Sequence, residues 1–301
     1  MDVVHCAEME WGESLVAQRG ATAGMAHKRL FEGVDNSPDN YMLVMSREPN
    51  TYFSPRHRHP WDQVRVCLEG RIPIAKGLTI DAGEIGYFPE SAHYGPQEGG
   101  TDRIVLLLQF GGASGQGFIG PDRLKQARLA LAEAGRFEGG VYTVETPAGR
   151  TNRDAYEAVW DYVKGAAPAY ASAAYKAPIV MRPEAFAWRE TPEPGVAVRE
   201  LGGFPHRGLT FREWRIDPGY VHQCLAEPTL RFLFVTAGAG TVNDSELRRW
   251  SAVRLQPGES ASLSAATPLQ VTELAVQPVA AAGKGMGGGA GSAPAGSEAE
   301  A

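Results

Sequence analysis

The chain repeats its own pattern, and that constrains its fold more than any single residue. Residues 63–68 alternate like a strand and lead to the turn glycine Gly70; residues 230–237 resemble them and lead to Gly238. Asp81-Ala82-Gly83-Glu84 is answered by Gln256-Pro257-Gly258-Glu259. The stretch that leads into the first of these strands, residues 55–59, is answered by Asp217-Pro218-Gly219-Tyr220-Val221-His222-Gln223-Cys224. Strand-length apolar runs, Tyr41-Met42-Leu43-Val44-Met45 and Ile104-Val105-Leu106-Leu107-Leu108-Gln109-Phe110, surround the first copy, with Asn, Asp, Gly and Pro between them. Short strands at this spacing predict a barrel or sandwich, and their recurrence predicts two diverged copies of it.

The boundaries follow from the changes of texture. Residues 1–118 form a first barrel. Residues 119–176 form a helical connector, with one helix from Asp122 to about Ala134 ended by Gly135 and another from Asn152 or Asp154 to Tyr162 stopped by Gly165. Residues 177–278 form the second barrel. Residues 279–301, made largely of Ala, Gly, Ser and Glu, are expected to be a disordered tail.

The chemistry concentrates in Pro55-Arg56-His57-Arg58-His59-Pro60-Trp61-Asp62-Gln63. His57 and His59 lie one residue apart, so on a strand both imidazoles leave the same face. Imidazole suits Fe, Zn, Cu and Ni. The pair is either half of a transition-metal site or two solvated histidines beside Arg56 and Arg58.

This stretch and the one after it resemble the cupin superfamily. His57, His59 and Gly70 match its first motif in type and spacing, with Gln63 where the family has a metal-binding Glu and Thr51 where it has a leading Gly. Gly83 and Pro89 match the second motif. There Ser91 replaces a Gly, Tyr94 stands on the usual His position with His93 one residue early, and Glu98 takes the place of the final Asn. Within the superfamily the chain looks most like a group of bacterial cupin-domain proteins that share its SPRHRH and YFPE blocks. The resemblance implies an all-β-dominated bicupin: two tandem jelly-roll barrels joined by a short helical connector. It implies a metal set of His57, His59, Gln63 and His93, with Tyr94 as a weak ligand or an acid–base group. In the second barrel Cys224 replaces the second His, Arg231 takes the place of Gln63 and Leu269 falls where the last His would be, so that barrel is expected to be metal-free and structural.

Strand parity adds one residue. If His57 and His59 point inward and Gln63 ligates, then Arg65 and Cys67 line the same cavity, with Val64, Val66 and Leu68 outside. Arg is not enclosed in a small barrel without an anionic partner. Arg65 either pairs with Glu84 or Asp62, or reaches the barrel mouth, or holds a substrate carboxylate in a bidentate fork.

Composition limits the partners. A net charge of -6 argues against nucleic acid, since phosphate binding needs a basic surface. No apolar run is long enough to span a bilayer, and the N-terminus lacks a signal-peptide pattern. Three scattered cysteines, Cys6, Cys67 and Cys224, fit a reducing cytoplasm better than a disulfide framework. The expected partner is a small anionic molecule, and a homodimer is compatible with the sequence. The expected cofactor is one divalent metal ion, Fe(II) foremost, with Zn, Mn, Ni and Cu also suited. The expected activity is that of an Fe(II) dioxygenase-type oxidoreductase on an anionic, aromatic or diketone substrate. A metal isomerase, lyase or decarboxylase, or a binder or sensor without catalysis, is compatible with the same scaffold.

Overall fold

A computed structural model describes residues 1–13, 25–35, 37 and 39–278. Two seven-stranded antiparallel sheets dominate it. In the first, the strands run in the order Ile179–Met181, Ile85–Phe88, Trp61–Glu69, Arg103–Gly111, Tyr41–Glu48, Ala26–Glu32 and Gly12–Glu13. In the second, the order is Asp2–His5, Ser251–Leu255, Leu230–Ala237, Leu269–Val276, Leu209–Ile216, Val196–Phe204 and Arg189–Glu190. The two orders correspond strand for strand, so the repeat read in the sequence is a repeat of architecture. A smaller sheet closes each half into a barrel: the hairpin Arg71–Ala75 with Leu78–Asp81 in the first, and four strands including Val221–Cys224 and Ala261–Ala265 in the second.

The repeated glycines have a steric reason. Gly70 and Gly238 follow the matching strands with φ of +81° and +83°. A Cβ would stand 2.3 Å from the Asp102 carbonyl oxygen at the first and 2.0 Å from that of Pro268 at the second. Only glycine combines that backbone angle with that approach.

Strand parity then sorts the core. Val64 and Val66, with Leu43, Met45, Leu106 and Leu108, leave the outer face of the first large sheet and pack against Phe211, Phe232, Phe234 and Leu274 of the second. Cys67, Ile72, Ile74, Ile80, Phe88 and Tyr94 fill part of the first barrel's interior, and Leu233, Val235, Val253, Leu263 and Val271 that of the second.

Two expectations need correction. The halves are not cleanly separated at residues 118 and 177: Asp2–His5 pairs with Ser251–Leu255 of the second barrel, and Ile179–Met181 pairs with Ile85–Phe88 of the first. Each large sheet thus has one edge covered by a strand from the other half, which removes a row of unpaired backbone groups. The connector is also more than helical. Between its helices, Pro121–Ala132 and Ala155–Lys164, lies a three-stranded antiparallel sheet of Arg136–Glu138, Val141–Thr146 and Gly149–Asp154. Asp122 does not cap the first helix, whose N-cap is Gly120; its carboxylate binds Arg29 at 2.7 Å. Asp154 does cap the second, accepting from the backbone N–H groups of Tyr156 and Glu157, and Gly165 ends it in the left-handed conformation.

Both helices pack over one mouth of the first barrel, where Tyr156, Val159 and Trp160 join Met42, Val44, Trp61 and Phe118. The three cysteines are free and buried. Among the described residues no helix is long and apolar enough to cross a membrane. The tail expected over residues 279–301 lies outside the described residues.

Candidate metal and anion site

The first barrel places its polar side chains by two local devices. One is the inward parity of Gln63, Arg65 and Cys67 on the Trp61–Glu69 strand. The other is a pair of backbone hydrogen bonds, His57 N–H to the Tyr94 carbonyl and Tyr94 N–H to that of His57, each 2.9 Å. This bridge puts residues 57 and 94 opposite each other with their side chains on one face. The ring centroid of Tyr94 is 4.4 Å from that of His57, and the His57 and His59 centroids are 4.8 Å apart.

His57 Nδ1 lies 2.6 Å from the Pro55 carbonyl oxygen. That oxygen only accepts, so Nδ1 is the donor, and in the neutral ring this is the Nδ1–H tautomer that a metal-ligating histidine needs. His59 Nε2 lies 3.0 Å from the Tyr94 hydroxyl oxygen. That hydroxyl is 3.4 Å from Gln63 Oε1 and accepts from Arg65 Nη2 at 3.4 Å, while Arg65 Nη2 also donates to Gln63 Oε1 at 3.2 Å. All five side chains, His57, His59, Gln63, Arg65 and Tyr94, are buried.

Arg65 has none of the carboxylate partners the sequence offers. Glu84 is taken by Arg182 at 2.9 Å and Asp62 by Arg207 at 3.1 Å. The Asp62 carboxyl, enclosed at the junction of the barrels, is pushed up to about 6 by burial, against the pull of Arg207. The Arg65 guanidinium instead lies over the rings of Phe88, at 4.8 Å, and Tyr94, at 5.5 Å. Its Nε and Gln63 Nε2 are buried without a hydrogen-bond partner.

His93, expected as the third imidazole, is exposed. The bridge between residues 57 and 94 fixes the register, and in an extended segment the neighbour of an inward residue points outward. The slight desolvation of its ring and the cations of Arg56 and Arg58 lower the pKa of His93. Among the described residues no three His, Cys, Asp or Glu side chains converge where an ion could sit. Among the side chains hydrogen-bonded into this cluster, Tyr94 and Gln63 carry the oxygens that could join His57 and His59 on a metal.

Several neighbours carry no signal in a linear motif. Gln109 pairs with Gln63 across the strands, and its Oε1 is buried without a partner. The His59 ring packs 4.1 Å from that of Trp61, which packs 4.9 Å from Tyr156 and 6.4 Å from Trp160 on the connector's second helix. Trp61 therefore belongs to an aromatic wall beside His59. Burial pushes the Tyr52 phenol up to about 12, against the cation of Arg65.

The second barrel lacks this arrangement. Leu263, not Leu269, stands opposite His222; Leu269 opens the strand that corresponds to Arg103–Gly111. His222 Nδ1 is bound by Glu193 Oε2 at 2.5 Å and its ring stacks on Trp214 at 3.8 Å. Arg231 donates to the Glu259 carbonyl at 2.8 Å and has Glu273 at 3.9 Å and Glu227 at 4.0 Å. The cation of this barrel is offset by carboxylates; that of the first is not.

No family model matches the chain, and no curated protein matches its sequence. Solved structures do match. A candidate dioxygenase from Nostoc punctiforme superposes with a TM-score of 0.61 at 10% identity, over 92% of this chain and 82% of that one. Streptomyces albus HEPD, solved with 2-hydroxyethylphosphonate and Fe(II) bound, gives 0.55 at 13% identity, over 96% and 80%. Oxalate decarboxylase from Bacillus subtilis gives 0.51 at 12% identity, over 92% and 77%. These likenesses run through both halves and agree with the two sets of antiparallel sheets: the chain has the cupin fold, as two jelly-roll barrels in tandem.

Proposed function

We propose that the first barrel is the divalent-metal centre of an enzyme acting on a small anionic molecule, most concretely an Fe(II) oxygenase. The observation that carries this reading is the enclosed pair His57 and His59, the first with its tautomer set by the Pro55 carbonyl, beside a buried cation, Arg65, that lacks a carboxylate partner. The donor set fits a divalent ion: His57 and His59 would hold it, with a third donor from the same cluster. Iron bound there would supply Lewis acidity and redox capacity.

The chain's own residues do the rest. Arg65 would bind and orient a carboxylate through its fork, which has one unused buried donor at Nε. The wall of Trp61, Tyr156 and Trp160 would keep water from the His59 side. HEPD, which holds Fe(II), and the candidate dioxygenase from Nostoc, both alike in fold, lend support. Gln63, a neutral amide where the cupin resemblance has a carboxylate, favours a second reading, a small-anion binder that turns nothing over.

The test begins with elemental analysis of the purified protein. Anaerobic loading with Fe(II) follows, then oxygen uptake with a panel of phenolic acids, diketones and short carboxylic acids. The proposal expects one equivalent of metal and uptake with at least one anionic substrate. Metal binding without uptake across the panel would favour the second reading. A protein that binds no metal would overturn the proposal.

A further inference from the structure

The phenol oxygen of Tyr94 stands where a third donor should be. With metal–ligand bonds of about 2.1 Å, adjacent donors of an octahedral site lie about 3.0 Å apart. His59 Nε2 and Tyr94 Oη, joined here by a hydrogen bond, are 3.0 Å apart, the spacing two adjacent donors would keep. Tyr94 also faces His57 directly, through the backbone bridge and the 4.4 Å ring contact. From these distances we infer that Tyr94 is the third protein ligand of the metal, in a set of two imidazoles and one phenolate, and that Gln63 is not a ligand. The inference rests on the metal reading proposed above.

Gln63 is excluded by what its amide already does. Arg65 carries only donors, so the amide atom 3.2 Å from its Nη2 must be the oxygen. The same oxygen lies 3.4 Å from the Tyr94 hydroxyl. That oxygen already accepts from the guanidinium and, being neutral, offers nothing to offset the repulsion between an ion and that cation. A phenolate changes the charge arrangement. Tyr94 Oη lies 3.0 Å from His59 Nε2 and 3.4 Å from Arg65 Nη2, so an anionic oxygen there would attract both an ion held by the histidines and the guanidinium. On binding, the phenol O–H bond breaks, an oxygen–metal bond forms and the proton leaves to solvent; no electron moves.

A phenolate ligand has a signature that an imidazole or an amide lacks. Bound to Fe(III), it produces a broad visible charge-transfer absorption. The experiment loads the full chain with Fe(III) and records that band, then measures Co(II) binding by titration calorimetry in wild type, Tyr94→Phe, Gln63→Ala and His57→Ala. Tyr94→Phe keeps the ring that packs 4.7 Å from Phe88, so the barrel core is retained. The expected result is a band in wild type and in Gln63→Ala and none in Tyr94→Phe. Co(II) affinity should fall at least about ten-fold in Tyr94→Phe, the lower end of what losing even an outer-sphere partner costs. Wild type that binds metal but shows no band overturns the inference and leaves the metal reading standing. So does a Tyr94→Phe variant with full affinity beside a Gln63→Ala variant without it. Wild type that binds no metal at all overturns both.

Discussion

Arg65 is the residue whose surroundings ask most plainly for a ligand. A guanidinium stays charged at any accessible pH, and this one is enclosed by aromatic faces, an amide and a phenol. A carboxylate that bridges the metal and Arg65 would satisfy both cations. Replacing Arg65 by Met keeps the volume and removes the charge. Affinity for short carboxylates should then fall about ten- to a hundred-fold, since a hydrogen bond to a charged group contributes about 1.5–3 kcal/mol. Metal content should stay near wild type. Calorimetry with a panel of small acids reads the first quantity and elemental analysis the second; unchanged affinity would remove Arg65 from the site. The two barrels provide a matched control. His57→Ala should abolish metal binding, whereas His222→Ala, which removes a ring held by Glu193 and Trp214, should leave it intact; equal losses would refute a single centre in the first barrel. At this scale the sequence was readable wherever strand parity alone decides. The inward set of Gln63, Arg65 and Cys67 followed from alternation. The choice between His93 and Tyr94 did not, because a one-residue difference in register reverses which side chain points in, and the bond that sets the register joins residues 37 apart in the chain, 57 and 94.

The connector's second helix is the element that ties the fold to the site. Its first turn is capped by Asp154 and its inner face carries Tyr156 and Trp160 against Trp61, which in turn backs His59. Cap and stop were legible, since an Asx residue before a helical pattern and a glycine after it have direct physical meanings. Where the helix docks was not, for that is decided by contacts with residues nearly a hundred positions earlier. The three strands before it were missed for another reason. Gly149–Asp154 is almost wholly exposed, so no apolar alternation marks it. Asp154→Ala should destabilise the protein by about 1 kcal/mol, the usual cost of a lost N-cap. Trp160→Ala should cost more, about 3–5 kcal/mol, as a buried aromatic truncated within a packed cluster. Urea titrations separate the two. If the wall matters to the site, Trp160→Ala should also weaken carboxylate binding while Asp154→Ala should not.

On the scale of the whole molecule, two barrels share a core and exchange an edge strand, so the halves should unfold together. The repeat predicted the two barrels, but nothing in a linear pattern says which sheet a four-residue strand such as Asp2–His5 will join. Where the barrels meet lies a cavity of about 380 Å³ lined from both sides, by Asp81 and Glu84 of the first and by Glu213, Gln270 and Arg249 of the second, with Arg182 and Arg199. Glu213 is nearly enclosed there, bound to Arg199 Nε at 2.5 Å. Burial raises its pKa above the usual carboxylate range, outweighing the hydrogen bond and charge of Arg199 and the Gln270 amide, with the Glu184 carboxylate adding to the rise. The sign follows from linkage. A folded-state pKa above the unfolded one means that the folded chain holds this proton where the unfolded chain has released it. Stability from Glu213 is therefore greatest below its ordinary pKa and declines as pH rises towards the folded value; above that value the curve is flat. Glu213→Gln keeps the shape and a hydrogen-bond acceptor for Arg199 but cannot titrate. The difference in unfolding free energy between wild type and Glu213→Gln, measured by urea titration at a series of pH values upward from about 4, should shift against wild type as pH rises and then level off. Other buried carboxylates, Glu273 among them, titrate in both proteins and cancel in that difference. A difference that instead shifts in favour of wild type as pH rises would mean that Arg199, not burial, sets the charge state of Glu213 at the junction.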